Sequence, residues 1–131
     1  MSRSTEVGGT LGAMAASTGA WLICEGTPVA LEVASTARAR RRGLLGRDGI
    51  GGVLLLSPAR GVHTFRMRFA IDVAYLDRDL LVLAVETLVP NRVGRRARGT
   101  RQILEAQAGC FCEWGLERGV QLVVPTSESG L

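Results

Sequence analysis

The chain contains no lysine, so all 16 of its basic residues are arginine, and it has a single histidine and a single tyrosine. The missing lysine removes one function at once. Gly43-Leu44-Leu45-Gly46 lacks the Lys and the Ser/Thr of a phosphate loop, which sets nucleotide hydrolysis aside. Aromatic residues make up 5% of the chain, too few for a stacking surface along single-stranded nucleic acid. The three cysteines, Cys24, Cys110 and Cys112, are an odd number and too few for the disulfide framework of a small secreted domain. Cys110 and Cys112 are spaced C-x-C, not the C-x-x-C of zinc or redox sites, so no metal and no cofactor is expected. No stretch approaches the roughly 20 apolar residues of a membrane span. The moderately apolar segment from Leu11 to Cys24 follows Arg3 but is diluted by Thr18, Gly19 and several alanines. The expectation is therefore a cytoplasmic protein, with an exported form as the alternative.

What is present fits one globular domain. At 131 residues, with 47% hydrophobic and 21% charged side chains, the chain can bury a real core. Residues 1–18 are rich in Ser, Thr, Gly and Ala without a sustained period and read as a flexible leader. The domain is expected over 19–125 and a flexible tail over 126–131. The net charge of +4 is concentrated: Arg38, Arg40, Arg41, Arg42 and Arg47 form one basic group, Arg92, Arg95, Arg96, Arg98 and Arg101 another. Such groups attract phosphate, nucleic acid or an acidic partner.

Short β-type runs recur along the chain. Trp21 to Glu25 and Val29 to Ala34, with Gly26-Thr27-Pro28 between them, read as a hairpin. Ser35 or Thr36 can cap a helix over Ala37 to Leu45, ended by Gly46 or Gly49. Val53 to Leu56 is a continuous apolar run, the pattern of a strand covered on both faces. Further strands are expected at Val62 to Met67, Ile71 to Leu76, Leu80 to Val89, Gln102 to Ala106 and Val120 to Val124, with one or two helical turns from Cys110 to Leu116. The fold class is mainly β (α+β), a compact barrel- or sandwich-like domain of seven to eight short strands with one or two short helices.

Three blocks of residues stand out: Arg42-Gly43-Leu44-Leu45-Gly46-Arg47, then Val62 through Asp77, then Ile103 through Gly109. In order and spacing they resemble the domain of unknown function 192 family, from about Val33 to Val124. The resemblance implies a small β-rich domain, found alone and behind signal peptides in bacteria and archaea, without an established activity. The chain departs from that pattern at Ala70, where a proline is common, and at Val120, where an acidic residue usually follows the glycine matching Gly119. A rigid turn residue and one carboxylate are thereby lost, and any ligand or metal use of that acid is closed to this chain.

The candidate binding residues are Arg42, Arg47, His63, Phe65, Met67, Asp72 and Glu105. His63 is the only side chain that ordinarily titrates near neutrality, so a general base would involve it. Thr64, adjacent to it, points to the opposite face of a regular strand and supplies no nucleophile. Asp72 is costly to bury unpaired and calls for backbone amides or an arginine such as Arg42 or Arg47, and Glu105 invites the same argument. Phe65 and Met67 share a strand face and can floor an apolar pocket. The first expectation is a binding or accessory module with a pocket near His63, Met67 and Asp72, its partner a small ligand or a protein rather than a specific nucleic acid. The alternatives are an acid-base enzyme using His63 with Asp72, hydrolase-like in character, and weak polyanion binding through the arginine loop.

Overall fold

The computed structural model describes residues 21–125; the expected leader at 1–18 and tail at 126–131 lie outside the described residues. In chain order the elements are β1 (Trp21–Cys24), β2 (Thr27–Ala34), α1 (Ala37–Arg42), β3 (Val53–Leu56), β4 (Ile71–Leu76), β5 (Val82–Leu88), β6 (Gln102–Gln107) and α2 (Cys110–Trp114). The strands form one curled sheet in the order β1-β2-β3-β6-β4-β5. All its pairings are antiparallel except β2 with β3.

Local chemistry explains the boundaries. The β1–β2 turn is the pair Glu25-Gly26, both at positive φ (48° and 84°), the geometry that matches the twist of a two-residue hairpin. Thr27 and Pro28, expected in the turn, belong instead to β2. Helix α1 is the crossover that the parallel β2–β3 pair requires. The Thr36 hydroxyl accepts from Ala39 N at 3.0 Å to cap its start. Its end comes earlier than the expected Gly46 or Gly49: Gly43, at φ 48° and ψ −126°, donates its N–H to Ala39 O and turns the chain toward the sheet. Gly43 is thus a cap and not an interior residue, and its φ favours a residue without Cβ.

Both faces of the sheet are covered. On one, Leu31, Val53, Leu55, Ala74, Leu76, Leu104 and Ala106 pack with Phe111 and Leu116 from the α2 region. On the other, Leu54, Leu56, Ile71, Val73, Tyr75 and Ile103 pack with Leu44 and Phe69. β3 and β4 are buried at every position, which is why their sequences run apolar without clean alternation.

Two expected strands are not continuous ladders. Val62 to Met67 makes only the bridge His63↔Val93, because Arg66 turns to φ 64° and Met67 N closes back on Thr64 O. Val120 to Val124 makes isolated bridges to β1, Ile23↔Val123, and to the residue before β5, Leu81↔Gln121. With Val82 N donating to Val120 O and Gly119 N to Val82 O, this one segment ties the β1 edge to the β5 edge and draws the sheet toward a barrel. The mainly β class stands, with six strands and two short helices among the described residues.

Candidate functional site

Alternation along β4 sends Asp72 to one face and Ile71, Val73 and Tyr75 to the other. Asp72 is 4% exposed, and its oxygens are fully engaged. Oδ1 accepts from the Thr87 hydroxyl at 2.6 Å, and Oδ2 from Gly109 N at 2.9 Å and Phe111 N at 3.1 Å. The carboxylate thus holds the turn that begins α2, and it reaches neither Arg42 nor Arg47. Met67 is half-buried against the opposite face, with Val62. His63 is exposed and accepts from Phe65 N through Nδ1 at 3.3 Å. The structure therefore does not bring His63, Met67 and Asp72 onto one open face.

The opposite face holds a different constellation. The registers place Glu32 beside Leu54, Leu54 beside Glu105, Glu105 beside Val73, and Val73 beside Glu86. Three carboxylates therefore stand in one row across five strands, each pair separated by an apolar residue. Their partners differ. Glu32 takes a two-point ion pair from Arg47, at 2.7 and 3.1 Å. Glu86 Oε2 accepts from Tyr75 OH at 2.5 Å and from Arg95 N at 2.7 Å. Burial and the neighbouring Glu86 push the Tyr75 phenol upward, so it acts as a donor.

Glu105 is 5% exposed and has no hydrogen-bond partner among the described residues. Burial pushes its carboxyl up to about 7, against the opposing charge of Arg47. Its Oε1 lies toward Gly43, the cap of α1. Of the two arginines named for it, Arg47 acts only at a distance, and Arg42 is exposed at the end of α1, in no ion pair among the described residues. Sequence reasoning missed Glu32 and Glu86. Each is an acid inside an apolar strand, a signal open to reading, but their alignment with Glu105 depends on four ladder registers.

His63, Phe65 and Val93 build an exposed, largely apolar surface. The rings of His63 and Phe65 stack, centroids 4.7 Å apart and planes 24° from parallel. Phe65 is 46% and Val93, opposite His63, 69% exposed. Beneath them Thr64 is fully buried and fastens the two loops. Its hydroxyl donates to Val89 O at 2.7 Å and accepts from Arg92 N at 2.9 Å, while its backbone donates to Arg92 O and accepts from Asn91 N. Asn91 Oδ1 accepts from Arg66 N at 3.0 Å, and both residues sit at positive φ, a conformation costing of order 1 kcal/mol or more for a side-chain-bearing residue.

The three cysteines are free. Cys24 Sγ donates to Trp114 O at 3.5 Å, and burial raises the thiols of Cys24 and Cys110. No helix among the described residues is long and apolar enough to cross a membrane.

A family model described as DUF192, an uncharacterised ACR family, matches residues 21–124. No curated protein matches the chain. The fold is similar to the crystal structure of a protein of unknown function from Novosphingobium aromaticivorans DSM 12444, with TM-score 0.71 and 20% identity, over 88% of this chain and 99% of that one. It is also similar to a proposed transcription regulator from Sinorhizobium meliloti 1021, with TM-score 0.67 and 19% identity, over 80% and 91% of the two chains. At these identities the likeness is one of fold.

Proposed function

The chain belongs to the DUF192 family, and from that premise we propose that it is a binding module whose loops 62–67 and 89–94 receive an acidic segment of a partner protein carrying an apolar anchor. The observation that carries this reading is the exposed His63–Phe65 stack opposite Val93, held in place by buried Thr64. Aromatic side chains on a rigid base make good anchors, because little conformational freedom remains to be lost on association.

Charge selects the kind of partner. Arg66 and Arg92 are exposed in the same loops, with exposed Arg95 just after them, and none of the three enters an ion pair among the described residues. From Asn91 to Arg101 there is no acidic residue. An acidic segment is drawn to such a surface and a basic one is repelled. The acid-base reading finds less support, since both Asp72 oxygens are already engaged, Oδ1 by Thr87 on β5 and Oδ2 by the α2 turn.

The test is a titration of the labelled protein with peptides of matched length, either acidic or basic, around a central Phe or Leu, followed by NMR. The expected result is saturable shifts confined to 62–67 and 89–94 with the acidic series only, weakened about tenfold or more by Phe65→Ala with Val93→Ala. Shifts mapping to another surface, or equal response to the basic series, would overturn it.

A further inference from the structure

Two open recesses meet at one arginine. The larger, ≈ 390 Å³, is lined by Arg60, Arg96, Ala97, Arg98, Gly99, Thr100 and Arg101. The smaller, ≈ 280 Å³, is lined by Ser57, Pro58, Arg78, Arg101 and Gln102. Between them they are lined by five arginines and no acidic residue. Asp77 and Asp79 flank Arg78 in sequence, but neither lines a recess, and Asp77 Oδ1 already accepts from Asp79 N and Leu81 N in its own turn.

Arg101, the shared residue, has the firmest backbone of the five. Its N–H donates to Leu76 O at the end of β4 and its C=O accepts from Ala59 N, both at 2.8 Å. Beside it, buried Thr100 closes a turn on Ala97 O through both its amide and its hydroxyl. The amides of Arg96, Ala97, Arg98 and Gly99 donate to no described residue and remain available to an anion. None of the five arginines forms an ion pair among the described residues. Gathering them without counter-charge costs mutual repulsion, which an anionic ligand relieves.

We propose that these two neighbouring recesses together are a binding site for a small anion bearing two or more linked phosphate groups, with Arg101, which lines both, engaging it between them. Guanidinium groups match phosphate oxygens two at a time, which lysine cannot do. A singly charged carboxylate would leave most of the positive charge unanswered, and the two lobes call for a ligand with more than one charged group.

Calorimetric titration with tripolyphosphate, orthophosphate and a mixed-sequence single-stranded oligonucleotide tests this. Tripolyphosphate is expected to bind about tenfold or more tightly than orthophosphate, and Arg101→Ala and Arg78→Ala each to weaken it, the former by about tenfold. Arg101→Lys restores only part of the loss, whereas Arg38→Ala on α1, which removes the same charge elsewhere, leaves affinity within about twofold. Phe65→Ala leaves tripolyphosphate binding intact, which separates this site from the partner surface. Absence of binding at low salt, equal weakening by Arg38→Ala, or tighter binding of the oligonucleotide per phosphate would each overturn the proposal.

Discussion

Glu32 and Glu105 stand in one cross-strand row with only Leu54 between them, yet a guanidinium reaches Glu32 alone. Arg47 lies in the loop that follows α1, and its Nη1 and Nη2 are both turned to Glu32. Glu105 is left buried without a donor among the described residues, and its proton is correspondingly harder to remove.

That asymmetry makes stability depend on pH. The folded-state pKa of Glu105, about 7, is above the ordinary 4.5. The native state therefore holds more protons than the unfolded state between those values, and stability falls as pH rises through that window. Denaturant unfolding at pH 4.5 and pH 8 should show the native chain losing on the order of 3 kcal/mol relative to Glu105→Gln, which cannot titrate. Parallel pH profiles for the two proteins would show that Glu105 finds a partner in solution.

Asp72 predicts the opposite kind of loss. Asp72→Ala strips three donors of their acceptor, the Thr87 hydroxyl and the amides of Gly109 and Phe111. A cost of about 3 kcal/mol is expected. Faster amide exchange at Phe111 should accompany it, because the α2 turn loses its anchor.

Thr64→Val keeps the shape and removes the hydroxyl that joins Val89 O to Arg92 N. Chemical denaturation should register a loss of about 2 kcal/mol, and exchange of the Arg92 amide should quicken. Thr64→Ser, which retains the hydroxyl, should fall close to the native protein.

Gly94 passes directly over the Tyr75 side chain. A Cβ there would meet Val62 Cγ1 at 2.7 Å and press on the Tyr75 hydroxyl. Gly94→Ala should cost about 2 kcal/mol through overpacking and weaken the Tyr75–Glu86 hydrogen bond. The tyrosine absorbance titration reads the second effect, its midpoint moving down as the phenol loses its acceptor.

The elements most legible in the sequence were those marked by local chemistry. Val53–Leu56 follows its apolar run to the residue, and α1 begins where Thr36 can cap it. The shorter α1 and the missing ladder at Val62 to Met67 come from backbone turns at Gly43 and Arg66, which neither propensity nor alternation reports. Burial of Asp72 on backbone amides follows from the cost of an unpaired charge in an apolar strand. Its choice of face depends on what covers each side of β4, and that is settled by α2, some forty residues away. The carboxylate row is further from view still, because it exists only once β2, β3, β6, β4 and β5 are in register.

The segment from Gly119 to Val123 serves both margins of the sheet. One peeling event therefore frees Ile23 on β1 and the start of β5 together. Each bared margin is a template on which another molecule can add. A molecule opened in this way is two-ended and can link into a chain of copies. The same stitch that curls the sheet holds these two margins paired within one chain.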